Sequence, residues 1–520
     1  MGIARDLGLK DNPFEHYNAE KEPHIVSYAV RPPYLETISQ RARGLSSFIL
    51  FGDRGAGKSA TRLTVFKEEW AAAGEESVAG RPFVVNLTDY TQVLDVFKRG
   101  ELRDKDLCVL AAFYVIEQMF AWLSSLEDEE RAEYLGRLDE HDEVLIIALL
   151  QGLYLNVPEM DRDTSTSEAF KLLGSAWTTK SKVWAKQRWG ALSGIFADVL
   201  NLFAKKYVDK GVDVAGSTER ILASLVGDSA NAPRAILSKL VELSRMFGFS
   251  GVCVLVDKLD ETDETDNSVD ATARLIYPLL ANIQLLEVDG FSWVFFVWGG
   301  VEEPFSNRLK IRLDKIANAR IRWEPEQLFK MLDRRLEYYS DGVVDFSGVF
   351  GGEVRSEEVF ERFRLLSLNS PRELIRLMDT LFREHDARGT DAPNKIDAFS
   401  VELAQDKYAM DSIRSWYKKD VLNQLYRLGK VSFTNKDVQG AFRIGSQGAR
   451  TKVLKWVDIG LVRQNGTVAL EGLGKPSYLY EVSDPRVARV IERRLDDLVG
   501  VPLEPAAAKD EDFVDGDSDD

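Results

Sequence analysis

The stretch "SSFILFGDRGAGKSATRLTVFKEEW" (Ser46 to Trp70) constrains the fold more than any other part of the chain. An apolar run leads into a glycine-rich turn ending Gly-Lys-Ser, then into a segment with Leu63, Phe66 and Trp70 at helical spacing. That order is strand, loop, helix. Gly52, Gly57, Lys58 and Ser59 satisfy G-x4-G-K-[ST], a spacing in which backbone N–H groups ring a phosphate, the lysine reaches the outer phosphates and the serine hydroxyl ligates Mg²⁺. The candidate nucleotide contacts are therefore Gly52, Asp53, Arg54, Gly55, Ala56, Gly57, Lys58, Ser59 and Ala60. A glycine turn that only caps a helix is the plainer alternative.

Three further runs, "PFVVNL" (82–87), "GVCVLVD" (251–257) and "FSWVFFVWG" (291–299), are continuously apolar and bounded by Gly, Asp and Ser. Such runs suit strands buried on both faces, as in a parallel sheet covered by helices. A Mg²⁺-nucleotide also needs a carboxylate at the end of a neighbouring strand, and Asp257 ends one such run beside Ser59. Asp260 and Glu261 follow within a turn, and one of them would orient an attacking water. A solvated acidic loop is the other reading of that pair.

At 520 residues the chain is too long for a single core and suggests about three domains. Its net charge of -17 argues against a surface that coats nucleic acid or membrane throughout, so any basic contact must be local. The two cysteines, Cys108 and Cys253, lie in apolar patterns and fit thiols kept reduced in a cytosol. "MGIARDLGLKDNPF" lacks the apolar core of a signal peptide, and no run approaches the roughly 18 apolar residues of a membrane span, so a cytoplasmic protein is expected.

The expected fold is α/β: a P-loop parallel-sheet core with a large helical insertion, followed by a helical lid and a winged-helix domain. The core spans 1–324, with 100–247 as the insertion carrying "LCVLAAFYVIEQMFAWLSSL" and "RWGALSGIFADVLNLFAKKY". The lid spans 325–395, with helices near 325–340, 356–367 and 371–388 and "ARGTDAPNK" as a closing linker. The winged helix spans 405–497. Residues 498–520 form a disordered acidic tail, with seven acidic residues in the eleven from Asp510.

On these motifs the chain resembles P-loop NTPases of the AAA+/STAND group. "DKLDE" (Asp257 to Glu261) is similar to the D-x-hydrophobic-D-E signature of NACHT- and KAP-type STAND ATPases. There the acidic residues after the Mg²⁺-coordinating Asp carry the catalytic role, which the resemblance passes to Asp260 or Glu261. Ordinary AAA+ proteins place Glu directly after that Asp, where this chain has Lys258. "SNRLKIRLDKIANARIRWEPEQLFKMLDRRL" (Ser306 to Leu336) is similar to a segment of origin-recognition initiator ATPases in which arginines face a neighbouring subunit's γ-phosphate, implying Arg308 and Arg312 as arginine fingers and a homo-oligomer. "NSPRELIRL" (Asn369 to Leu377) resembles the start of a lid helix carrying sensor 2, implying Arg372 over the phosphates. Surface ion pairing is the alternative for each arginine. The strand ending in Trp298 lacks the polar sensor these families carry there. "VLVDKLD" also resembles the guanine-specificity motif N-K-x-D with Asp257 in place of Asn, and "DVAG" (Asp213 to Gly216) matches the D-x-x-G of GTPases, although it follows a helical, lysine-containing segment.

From Phe433 to Asp484 the pattern reads as two short helices and a β-hairpin, an order that resembles a winged helix with residues 412–428 as its first helix. Ser446 is a plausible N-cap and Gly460 a C-terminal stop. Ala449, Val453 or Leu454, and Val457 would face inward, with "RQNGTVAL" supplying an Asn-Gly turn and "SYLYEV" the return strand. Lys430 to Glu481 holds eight Lys/Arg against four Asp/Glu, a local excess suited to phosphate contact. Gln447, Arg450, Thr451 and Lys455 are the candidate DNA contacts, since early residues of such a helix face the bases. A winged helix used for protein contact is the alternative.

The resulting expectation is an ATP- and Mg²⁺-dependent ATPase switch that engages duplex DNA or assembles as an oligomer. The rivals are a STAND-type sensor, of the kind used in bacterial defence, that gates a partner effector protein; a non-enzymatic nucleotide-binding scaffold; and a GTPase.

Overall fold

Four of the apolar runs form strands: β1 (Phe48–Gly52), β2 (Pro82–Leu87), β3 (Gly251–Val256) and β4 (Phe291–Trp298). Every residue of β1, β2 and β3 is buried, so these strands show no polar alternation because neither face meets water. A short fifth strand, β5 (Asn318–Arg320), was not apparent from the sequence, since its three residues are mostly exposed. All five run parallel in the order β2-β3-β4-β1-β5. The strand carrying Asp257 is therefore not the neighbour of the loop strand, as expected above. β4 stands between them.

The computed structural model of the chain describes residues 2–154 and 219–495, apart from positions 23, 29, 31, 32, 76, 77, 220, 224, 226–228, 267 and 469–475. Two compact units divide it, residues 18–324 and a second made of the first seventeen residues with those from Pro325 onward. The opening residues were expected with the P-loop core. They pack instead in the second unit because Phe14 is a fully buried anchor, its ring 5.4 Å from Phe382 and edge-on to it. Asn12 Nδ2 also donates to Asp379 Oδ1 (2.9 Å), and Arg335 donates to the Pro13 carbonyl (2.7 Å).

In the first unit the sheet is covered by α1 (Lys58–Glu75), α2 (Asp104–Ser125) and α3 (Ala232–Met246), and α4 (Val269–Ala281) packs on α2 and on the turns after β4. Helices α2 and α3 pack on β2 and β3, so the two ends of the expected insertion are sheet-covering elements and share the sheet's hydrophobic core. Its middle, including "DVAG" and "RWGALSGIFADVL", lies outside the described residues. Among the described residues α2 is long and apolar enough to cross a membrane, contrary to the expectation that no run approaches that length. Its apolar stretch is buried inside the unit, and its apolarity reflects a position among α3, β2 and β3. Gln118 on α2 has a definite task. Its amide accepts from Asn86 N (3.1 Å) and donates to Asn86 O (2.9 Å), occupying backbone groups that β2 leaves open at the sheet edge.

In the second unit α5 (Pro325–Tyr339), α6 (Ser356–Leu366) and α7 (Pro371–Asp386) match the expected lid helices to within two residues. The segment read as a linker is anchored. His385 bonds to Ser400 Oγ and to the Pro393 carbonyl (both 2.9 Å), and Arg388 Nη1 meets both oxygens of Asp397 at 2.7 Å. Helix α8 (Ala398–Trp416) then packs along α7.

The winged-helix region comprises α9 (Lys419–Leu428), β6 (Ser432–Thr434), α10 (Asn435–Phe442), α11 (Ser446–Asp458), the strands β7 (Val462–Val468) and β8 (Ser477–Val482), and α12 (Pro485–Arg493). Its sheet is antiparallel, ordered β6-β8-β7, over a core that includes the buried Trp456. The expected first helix, 412–428, is two helices, because Tyr417 is extended (φ -129°, ψ 146°) between α8 and α9. Gly445, not Ser446, is the N-cap of α11. The Asn465-Gly466 pair is not the hairpin turn: it sits within β7 where the register slips between Gln464 and Thr467, and Gly466 adopts φ +92°. Arg489 of α12 bonds to Asp406 (2.8 Å) and Glu402 (2.7 Å), tying α12 to α8.

Candidate nucleotide site

The loop after β1 adopts a conformation that glycine makes possible: Gly55 has φ +74° and Gly57 φ +91°, and the chain then enters α1 at Lys58. This places a ring of backbone amides at a helix N-terminus, on the carboxyl edge of a parallel sheet. A Cβ on Gly52 would lie 3.0 Å from the Lys58 Cγ, so the loop closes tightly over its lysine. Lys58 Nζ donates to the carbonyls of Gly52 (3.0 Å) and Asp53 (3.3 Å). Ser59 and Ala60 are half-buried at the start of α1, and the Thr61 hydroxyl donates to Gly57 O (2.9 Å). Trp323, just past β5, donates its indole N–H to Ala56 O (2.8 Å) and lays its ring 3.7 Å from where a Gly57 Cβ would stand.

Asp257, 2% exposed at the end of β3, is held on every side. Its Oδ2 accepts from Arg62 Nε (3.0 Å) and its Oδ1 from Lys258 N (2.9 Å), while its carbonyl accepts from the Tyr90 hydroxyl (2.8 Å). Lys258 takes a left-handed φ of +62° to make this turn. Burial, reinforced by the Asp257 charge, pushes the Tyr90 phenol well above its ordinary range and keeps it a donor. Arg62, 1% exposed, also reaches Asn86 Oδ1 (2.6 Å) and Glu20 Oε1 (2.8 Å), and Glu20 in turn accepts from Lys258 Nζ (2.7 Å). Arg62 lies one helical turn beyond Ser59, so this pair draws the start of α1 to the end of β3 past the intervening strand. Each oxygen of Asp257 accepts one of these side-chain or amide bonds, which leaves a lone pair on each. One carboxylate and one hydroxyl suit Mg²⁺, which completes its shell with phosphate oxygens and water. Among the described residues no cluster of three or more His, Cys, Asp or Glu forms an all-protein metal site.

The structure separates the two acidic candidates. Asp260 is buried and lies 3.5 Å from Arg54 Nε, whereas Glu261 is exposed. Arg54 itself rests on the face of Trp298, 4.4 Å from the ring centroid. The finger candidates are exposed and paired locally: Arg308 with Asp270 (2.6 Å), and Arg312 with Asp314 through two bonds (2.9 and 2.8 Å). Arg372 is exposed on the first turn of α7, in the second unit.

On α11, Gln447, Arg450, Thr451 and Lys455 are all exposed, with Ala449, Val453 and Trp456 buried. Leu454, one of the two residues offered for the inward face, is 48% exposed and shares the outer face with them. Val457, also expected to face inward, is partly buried against the same core, and Trp456 joins Ala449 and Val453 as the third fully buried residue of the helix.

Sequence reasoning missed Arg62 and Trp323. Arg62 could have been noticed as a charge on the inward side of a helix that follows a phosphate loop. Nothing local marks Trp323, whose role depends on β5.

No protein-family model matches the chain, and no curated protein does. Among solved structures it is similar to the ORC1 protein of Aeropyrum pernix in complex with DNA, at 12% identity and a TM-score of 0.37 over 92% of this chain and 98% of that one. It is similar to the ADP form of the Aeropyrum pernix ORC2 protein at 11% identity and a TM-score of 0.35, over 93% and 99%. Cdc6p of Pyrobaculum aerophilum matches at 12% identity and a TM-score of 0.32, over 91% and 98%. Superpositions this loose decide neither activity nor partner.

Proposed function

We propose that the chain is an ATP-dependent molecular switch that hydrolyses ATP and couples its nucleotide state to duplex DNA through the winged helix. The observation that carries the reading is the phosphate loop: left-handed Gly55 and Gly57 at the head of α1, with the Lys58 ammonium folded over the loop's own carbonyls. That ammonium would exchange carbonyl partners for phosphate oxygens, a charge-assisted and therefore stronger bond. Ser59 and Asp257 would hold Mg²⁺, which neutralises phosphate charge. Asp260, buried beside the loop, is the better placed of the two acidic candidates to orient water. The guanine-reading alternative needs Asp257 turned outward to a base edge, whereas it is 2% exposed with its Oδ2 on the buried Arg62, so this reading takes ATP as the nucleotide.

ATP turnover by the purified chain, with and without duplex DNA, tests this reading, with Lys58→Ala as the blank and GTP as competitor. Turnover stimulated by DNA and lost in the blank is the expected result. Turnover indifferent to DNA would sink the coupling, and a preference for GTP would sink the nucleotide assignment.

A second reading, a STAND-type sensor gating a partner effector, draws support from two exposed apolar side chains in the winged region, Leu454 on α11 and Tyr478 on β8. Apolar anchors suit a protein surface better than a phosphate backbone. ATP-dependent self-association that DNA does not alter would favour it. On either reading, Arg308 and Arg312 would serve a neighbouring copy only by exchanging their surface partners.

A further inference from the structure

β4 ends in Trp298, and the side chain that covers its ring, Arg54, comes from the phosphate loop. In a phosphate loop the variable positions are needed only for their backbone N–H groups. Arg54 occupies one of them, and its side chain crosses the end of β4 to stack on Trp298 and approach Asp260. Three elements meet in this arrangement: the loop after β1, the end of β4 and the acidic turn after β3.

Two features mark the arrangement as exchangeable. Arg54 Nε and Nη2 are shielded from solvent, yet neither finds a hydrogen-bond acceptor among the described residues. The Asp260 oxygen, at 3.5 Å, is beyond the normal range for such a bond. An aromatic face holds a guanidinium without satisfying its N–H groups. The side chain is thus oriented but under-used as a donor, next to amides suited to phosphate.

We propose that Arg54 is the residue by which this site distinguishes a nucleoside triphosphate from a diphosphate. Without the terminal phosphate it rests on Trp298 and restrains Asp260. With that phosphate its donors gain an acceptor, and Asp260 is left to accept from water. The inference rests on the nucleotide-binding reading above and adds to it a side chain that senses the terminal phosphate.

The test is equilibrium binding of AMP-PNP and of ADP, each with Mg²⁺, to the full chain and to Arg54→Ala, Arg54→Lys, Trp298→Leu and Lys58→Ala. Loss of a charge-assisted contact made only to the terminal phosphate should weaken AMP-PNP about tenfold in Arg54→Ala while ADP stays within about twofold. Arg54→Lys keeps the charge without the planar fork and should fall between. Trp298→Leu should erode the same discrimination by removing the platform. If Arg54→Ala does not fold, the other two variants carry the same comparison. Equal weakening of both nucleotides, or of neither, with Lys58→Ala still abolishing binding, overturns the sensing role and leaves the phosphate loop standing. If the unaltered chain binds neither nucleotide, the nucleotide-site reading falls, and this inference with it.

Discussion

Arg62 shows what one buried side chain does here. A guanidinium removed from water is tolerated because Asp257, Asn86 and Glu20 each accept from it. Replacing it with methionine would leave the Asp257 carboxylate buried without its counter-charge, at about 3 kcal/mol of stability. Urea unfolding of Arg62→Met checks this, and a loss under about 1 kcal/mol would mean that Lys258 and water take over. Arg62→Lys should recover part of the loss, since it restores charge but not the three-way fork. The strand, glycine loop and helix around Lys58, and the place of Asp257 at the end of a buried strand, were legible from sequence because residue type and local order mark them. The partner of Asp257 was not, since the pairing joins positions 195 apart and only the sheet order brings them together. The choice between Asp260 and Glu261 was likewise illegible, because one turn of chain decides which of two adjacent carboxylates faces inward.

Among elements, the edge strand β2 depends on a helix that a hydropathy reading takes for a uniform apolar rod. Gln118→Ala should cost about 1–3 kcal/mol by stranding the Asn86 amide and carbonyl in a dry setting, measurable by thermal or urea unfolding. Gln118→Glu keeps the acceptor and loses the donor, and should do similar damage. At the other joint, Asp397 caps α8 by accepting from Ser400 N (2.9 Å) while clamping Arg388. Burial alone would raise its pKa, but the bonds from Arg388 and Ser400 outweigh that and hold it down at about 2. A carboxyl depressed on folding stabilises at pH values above its unfolded pKa of about 3.9. That contribution should then drain away as the pH falls from about 4 toward 2. Asp397→Asn keeps a capping oxygen without the charge, so its urea midpoint should change less between pH 5 and pH 2 than that of the parent chain. An identical acid response would show that the clamp is not linked to stability. The helices α5, α6 and α7 were readable because amphipathic spacing and the Ser370-Pro371 start of α7 are local signals. Strand β5, the break at Tyr417 and the bulge at Asn465-Gly466 were not, because each is set by what the backbone pairs with, not by its own composition.

For the whole molecule, the acidic net charge and the basic winged region make different demands. If α11 lies on DNA, Arg450→Ala and Lys455→Ala should each lower the salt-dependence slope of binding by about one without changing sequence preference. Slopes equal to the parent's would remove those side chains from the phosphate contact. The second unit is built from both ends of the described chain, and Phe14→Ala should cost it about 3 kcal/mol, read as an earlier transition in calorimetry with nucleotide affinity unchanged. The same topology has a consequence in time. Ile3 N bonds to Asp386 Oδ1 at 2.6 Å, a partner 383 residues further along. During synthesis the opening residues leave the ribosome first, yet what they pack against arrives about 20 to 80 seconds later at ordinary elongation rates. Residues 18–324 can close around the phosphate loop in that interval. A newborn chain would thus hold a folded first unit before its second unit can form, with its first seventeen residues exposed to proteases and chaperones throughout.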